Sequence, residues 1–247
     1  MSNPNPHDDL RQLVAAAGHM VAFTGAGISA ESGIPTYRGD DGLWNKYDPA
    51  KFANIDNFFK DPGYYWNFFR EVRYPVISKA QPNDAHTALA ELEAKGILKA
   101  VITQNIDGLQ QAAGSKNVLE LHGNTRRIIC LQCSRQHAMD DVYQQLDNEL
   151  PPICPSCGGT LKPDVVFFGE SLPADVLEGA VAAAQACDLF LVVGSSLVVQ
   201  PAAGLPALAR RNGARLVIIN RDPTPLDQMA DLVFNQRASD VLRTVSS

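Results

Sequence analysis

A short apolar run at residues 20–23 passes directly into Thr24-Gly25-Ala26-Gly27-Ile28-Ser29-Ala30, and no other junction constrains the fold as much. Glycines at 25 and 27 let the backbone turn sharply behind a strand and approach a pyrophosphate with no Cβ in the way. Ala30 completes a G-x-G-x-x-G/A spacing, that of a dinucleotide-binding loop, although such turns also serve as plain strand-to-helix connections. A helix beginning near Ser29 would aim its unpaired N–H groups at phosphate. The acidic residue that ordinarily holds the ribose about twenty positions later is missing. Asp40 and Asp41 come too early, in a polar turn. The spacing therefore predicts a dinucleotide gripped in a non-standard way.

Residues 8–17 carry Leu10, Leu13, Val14 and Ala17 at helical spacing and stop at Gly18, so a helix leads into the strand at 20–24. Strand-length apolar runs recur at 100–103, 118–121, 165–168, 189–193 and 216–219, and helical patterns at 86–95, 174–186 and 202–211. Strands alternating with helices predict an α/β fold with a doubly wound, parallel, Rossmann-like sheet, whose ligands sit beyond the carboxyl ends of the strands. Two stretches break the alternation. Residues 39–82 are dense in aromatics, from Trp44 to Tyr74, and read as helices and loops of a lid or of a satellite beside the sheet. The other stretch holds four of the five cysteines.

Cys130-x-x-Cys133 and Cys154-x-x-Cys157 stand twenty residues apart, the spacing of a zinc ribbon. Each knuckle turns two thiolates toward one point, and four cysteine ligands leave no position open for water, so the expected Zn2+ is structural, one per chain. A pair of disulfides is the alternative, and the lack of a secretory pattern at residues 1–7 argues against it. Cys187 reads as a buried core thiol and His137 as a surface residue.

Polar residues gather at predicted strand ends. Gln104, Asn105 and Asp107 follow one strand, and His122-Gly123-Asn124 follow another. A histidine in that place suits a general base, while the amides and Asp107 equally suit turn capping. Gly194-Ser195-Ser196 and Asn220-Arg221 end two more strands, with small residues, hydroxyls, an amide and a cation for phosphate or ribose.

The net charge of −6, with scattered basic residues, argues against nucleic acid as a partner. No apolar run approaches the length of a membrane span, and a cytoplasmic, monomeric protein is expected.

In this order, these pieces resemble the sirtuins of bacterial and archaeal type, the NAD-dependent protein-lysine deacylases, from about residue 10 to 240. The shared motifs are Gly25-Ala26-Gly27-Ile28-Ser29, Ser32-Gly33-Ile34-Pro35, Tyr37-Arg38, Thr103-Gln104-Asn105-Ile106-Asp107, His122-Gly123, the four cysteines, Val166-Phe167-Phe168-Gly169-Glu170 and Gly194-Ser195-Ser196. The resemblance implies that NAD is consumed as co-substrate: the acetyl group of acetyl-lysine passes to ADP-ribose and nicotinamide is released. It makes His122 the general base, with Asn105 and Asp107 as further catalytic residues. NAD contacts would come from Gly25, Ala26, Gly27, Ser29, Thr36, Tyr37, Arg38, Gln104, Asn105, Asp107, Gly194, Ser195, Ser196, Asn220 and Arg221. This chain has Thr36-Tyr37 where the family more often has Asp-Phe.

The resemblance also implies a large NAD-binding domain (1–38, 83–125 and 163–247) and a small domain made of a helical insert (39–82) and the zinc ribbon (126–162). The acetylated peptide would bind as an extended strand against Gly169 and Glu170 on one side and Leu197 on the other, with Val166 and Phe168 lining the acyl tunnel. Sirtuins that prefer acidic acyl groups carry a Tyr-x-x-Arg pair, which this chain lacks, so a neutral tunnel for acetyl or longer aliphatic groups is expected. Protein mono-ADP-ribosylation is the enzymatic alternative, and an NAD or ADP-ribose binding module the non-enzymatic one.

Overall fold

The computed structural model describes residues 5–38 and 42–246, so Asp40 and Asp41 lie outside the described residues. Six parallel strands form the main sheet: β1 (Met20–Thr24), β2 (Leu98–Thr103), β3 (Val118–Glu120), β7 (Leu189–Val193), β8 (Arg215–Ile219) and β9 (Leu232–Phe234). Their spatial order is β3-β2-β1-β7-β8-β9, so the winding direction reverses between β1 and β7. A second sheet is antiparallel, with β4 (Gly123–Cys130) between β5 (Gln136–Ala138) and β6 (Leu161–Val165).

The main strands are continuously apolar because both faces of the sheet are covered. Met20 and Ala22 face the helices at Pro6–Ala16, Asp84–Ala94 and Ala238–Ser246, packing with Leu10, Leu89 and Leu242. Val21 and Phe23 face the opposite layer, where Ala180, Ala184, Leu205 and Ala209 come from the helices at Ala174–Ala186 and Leu205–Arg211. A third core joins the two stretches that break the alternation. Phe58, Tyr65, Trp66 and Phe69 pack with Ile128, Cys130, Val142, Leu161 and Phe167, and Trp66 Nε1 donates to Leu161 O at 2.9 Å.

Three expectations are corrected. No α-helix begins at Ser29: a 3₁₀ helix runs from Ala26 to Ser32 and ends at Gly33 in the left-handed region. Residues 165–168 are not a strand of the parallel sheet. Val165 ends antiparallel β6, Phe167 enters the third core and Phe168 is 46% exposed, so this apolar run serves the third core and a surface. The helical pattern at 202–211 divides into a 3₁₀ turn, Ala202–Gly204, and an α-helix, Leu205–Arg211. Strand β9 carries no periodic signal because it is three residues long.

Candidate active site

The reversal between β1 and β7 opens a crevice at the strands' carboxyl ends, the usual ligand position in such sheets. The two strand-end loops interlock there. The Gly25 N–H donates to Val193 O (3.0 Å) and the Gly27 N–H to Gly194 O (2.8 Å). Gly194 has φ +65°, and a Cβ on it would lie 2.2 Å from Ile28 N, so this crossing admits glycine alone. Above it lies a cavity of about 1360 Å3. Gly25, Ala26, Gly27, Thr36, Tyr37, Arg38, Gln104, Asn105, Gly194, Ser195, Ser196, Asn220 and Arg221 all line it. Ser29 and Asp107 do not; they lie behind its wall.

His122 lines the cavity between β3 and β4. Its Nδ1 lies 2.9 Å from Gln104 O. A carbonyl only accepts, so Nδ1 carries the proton and Nε2 keeps its lone pair. Burial lowers the ring's pKa below 6.5, partly opposed by the Gln104 hydrogen bond. The imidazole is therefore an unprotonated base at neutral pH. Gly123, at φ +75°, brings β4 so close to β6 that a Cβ would meet Asp164 O at 2.0 Å, and His122 O accepts from the Val166 N–H at 2.9 Å.

Behind the wall, Ser29 Oγ donates to Asp107 Oδ2 at 2.7 Å, and Asp107 Oδ1 accepts from the Leu109 N–H at 2.9 Å. Asn105 Nδ2 donates to both Gly25 O and Ser29 Oγ, each at 3.1 Å. His86, fully buried, completes the group with its Nε2 3.4 Å from Ser29 Oγ. Sequence reasoning placed His86 inside a helical pattern and gave it no role. The available signal was its position three residues after Asn83, where the two side chains form a capping box.

Val166, Phe168, Gly169 and Glu170 line the opposite wall. Leu197, expected beside the peptide, is instead buried in the second core and absent from the cavity lining, with its backbone at φ +55°. Lys162, 5% exposed, pairs with Glu170 at 2.9 Å and lies 4.4 Å from the Phe167 ring centroid, bracing this segment.

The lining is not neutral. Arg73, 8% exposed, comes from a π-helical turn, Phe69–Arg73, just before Pro75, and donates through Nη2 to Tyr37 Oη at 2.9 Å. Among the described residues it has no carboxylate partner. Tyr65 lines the same cavity; burial raises its pKa and the Arg73 charge acts against that rise. A search for Tyr-x-x-Arg misses this pair because the turn brings together residues eight apart.

The four cysteine Sγ atoms lie within 4.8 Å of one another. Cys130 and Cys157 are 3.5 Å apart and Cys133 and Cys154 3.9 Å, against about 3.8 Å for sulfurs at 2.3 Å from a tetrahedral zinc. Their backbone amides, Cys133's first at Cys130 and Ser156's at Cys154, lower those two thiol pKa values toward the thiolate a metal needs. His137 is half-buried with Nε2 3.5 Å from Cys154 Sγ, so it supports the cluster and is not a free surface residue. Cys187 is buried as expected, and burial raises its pKa to about 11.

A model of the Sir2 family matches residues 25–201. The chain is 48% identical over 239 residues to NAD-dependent protein deacylase 2 of Archaeoglobus fulgidus, covering 95% of this chain and 94% of the relative. It is 49% identical over 234 residues to the NAD-dependent protein deacetylase of Caldivirga maquilingensis, covering 94% and 90%. Among solved structures, Sir2 with a p53 peptide and NAD+ matches with a TM-score of 0.90 at 42% identity, over 96% of this chain and 95% of that one. Sir2 bound to a propionylated peptide matches with a TM-score of 0.89 at 40% identity, over 96% of both chains.

Proposed function

The chain belongs to the Sir2 family, and from that premise we propose that it is an NAD-dependent protein-lysine deacetylase that passes the acetyl group of acetyl-lysine to ADP-ribose and releases nicotinamide. The observation that carries this reading is His122: a neutral imidazole with Nδ1 held by a backbone carbonyl and Nε2 free, in a cavity between a glycine cradle and the Val166–Phe168 segment. The cavity exceeds the roughly 300–1,000 Å3 of single-ligand pockets, which suits a dinucleotide together with an acyl-lysine.

The residues fit NAD. Gly25, Gly27 and Gly194 form a floor without side chains, where a Cβ would collide with backbone, and Gln104 Nε2 holds Ser195 Oγ at 2.9 Å beside it. NAD supplies the ADP-ribosyl group that accepts the acyl group. His122 Nε2 takes a proton from a ribose hydroxyl, a role typically worth about 10²–10⁴ in rate. Asn105 presents its amide oxygen to the cavity, and Ser29 and Asp107 act from behind it. The four cysteines hold a structural zinc, which supplies folding energy and takes no part in the reaction. We assign the helical insert and the ribbon to one small domain on the strength of their shared core.

The test is mass spectrometry of an acetyl-lysine peptide incubated with the protein, with and without NAD, beside His122→Tyr. NAD-dependent loss of the acetyl mass, with O-acetyl-ADP-ribose formed and both lost in the variant, is expected. Labelling of protein with ADP-ribose in place of deacetylation would favour the transferase reading.

Arg73 favours a second reading of acyl range. A buried cation without a counterion is costly, and a carboxylate at the end of an acyl chain would relieve it. A succinyl-lysine peptide should then be processed as well as an acetyl one, and Arg73→Met should lower the succinyl-to-acetyl ratio of kcat/KM about tenfold or more.

A further inference from the structure

We infer that Lys162, on β6 and outside the cavity, is a positioning residue for the acylated peptide: its ammonium ties the Val165 carbonyl to the Glu170 carboxylate and so holds Gly169 as a ready-made backbone edge for an extended strand. This rests on the reading of the cavity as a deacylase site.

The hydrogens of the Lys162 ammonium all have acceptors. Nζ donates to Val165 O at 2.7 Å and to Pro163 O at 3.5 Å, and pairs with Glu170 Oε2 at 2.9 Å. The Phe167 ring closes the shell, its centroid 4.4 Å away. Every partner comes from residues 163–170, so this stretch of chain is wrapped around one cation. Glu170 fastens the far end of the wrap: its Oε2 also accepts from the Phe167 N–H at 2.8 Å, and its own N–H donates to Phe167 O at 3.0 Å.

The residues expected to line the acyl tunnel have other tethers. The Val166 N–H donates to His122 O at 2.9 Å. The Phe168 N–H donates to Ala53 O at 2.7 Å, and Phe168 O accepts from the Ile55 N–H at 3.0 Å. Val166 and Phe168 are thus held without Lys162. Gly169 is not: it is exposed, stands at φ +95° and lines the cavity, and among the described residues its N–H and carbonyl have no partner. A free donor and acceptor beside the acyl site is what an added strand requires. Their direction is set by the turn that Lys162 and Glu170 close.

Stability does not account for an ammonium in this place. Burying a charge pair costs desolvation that an apolar side chain avoids, so replacing such a pair is often neutral or stabilising. Here the partner left behind can turn to water, because the Glu170 side chain is 29% exposed. What the cation supplies is direction. Without it the edge must be ordered when the peptide arrives, at a cost in affinity.

Binding of an acetyl-lysine peptide and of NAD is measured by calorimetry for the wild type, Lys162→Met, Glu170→Gln and the double variant. In parallel, kcat/KM is followed for that peptide and for a single acetyl-lysine blocked at both ends, which has no flanking residues to pair. Lys162→Met is expected to weaken peptide binding and lower the peptide kcat/KM about tenfold, with NAD affinity and the blocked acetyl-lysine within about twofold of wild type and the urea midpoint undiminished. Glu170→Gln keeps an acceptor for the Phe167 N–H and removes the charge, so it tests the clamp from its exposed end and should show the same split. The double variant should bind peptide no more weakly than the weaker single variant, because both changes break one contact.

Unchanged peptide affinity in Lys162→Met, an equal loss on the blocked acetyl-lysine, a parallel loss of NAD affinity, or additive losses in the double variant would overturn the inference. A wild type that binds the peptide without deacylating it would sink the proposed activity, while the peptide-binding series would still decide the role of Lys162.

Discussion

Burial lowers the pKa of both His122 and His86 below 6.5, that of His86 to about 4 despite the opposing pull of Asp107. As pH falls through 6.5 the unfolded chain takes up a proton on each ring and the folded chain does not. Stability from these rings is therefore fully present above pH 6.5 and declines below it, for His86 toward about pH 4. Urea midpoints across that window should fall with pH, and His86→Gln should flatten the fall; an identical slope in the variant would contradict this. For catalysis, His122 must be neutral, so the acid limb of kcat/KM should lie below pH 6.5, with a flat rate from there to neutrality. At this scale His122, Asn105 and Gln104 were legible, because polar residues just after apolar strands face the ligand side of a parallel sheet. His86 and Arg73 were not: each lies within a helical segment, and its partner is distant in sequence or across an irregular turn.

The strand-end loops and the cysteine knuckles are the elements on which the site depends. At Gly194 a methyl group would meet Ile28 N at 2.2 Å in a backbone region that L residues rarely adopt, so Gly194→Ala should cost about 1–3 kcal/mol in chemical denaturation and remove most NAD affinity. A variant with wild-type affinity would show that the loops do not interlock as described. For the knuckles, zinc analysis should find one ion per chain. Chelation should lower the thermal midpoint and expose the four thiols to titration, whereas Cys187, buried in the second core, should stay unreactive until the chain unfolds. The ribbon was readable from spacing alone, since ligand geometry is local to each turn. The strand expected at 165–168 was misread because an apolar run carries no information about which core it enters.

At the level of the whole molecule, the cavity lies between the parallel sheet and the helix-and-ribbon core, so NAD should stabilise the chain by mass action. Saturation at about a hundred times Kd corresponds to about 2.7 kcal/mol, or about 5–10 °C in thermal midpoint for a chain of this size. No shift at millimolar NAD would exclude tight binding. By itself the sequence determined the doubly wound sheet, the glycine loop, the four-cysteine cluster and the place of His122 at a strand end on the ligand side. Those depend on periodicity and on spacings within a few residues, which local backbone geometry enforces. Only the tertiary structure decided that Ser29 and Asp107 stand behind the wall and that Leu197 turns into the core. It alone placed a cation from residue 73 in the cavity and set His86 against a serine 57 positions away. Those placements depend on how separate layers meet, and packing between layers leaves no periodic trace in the chain.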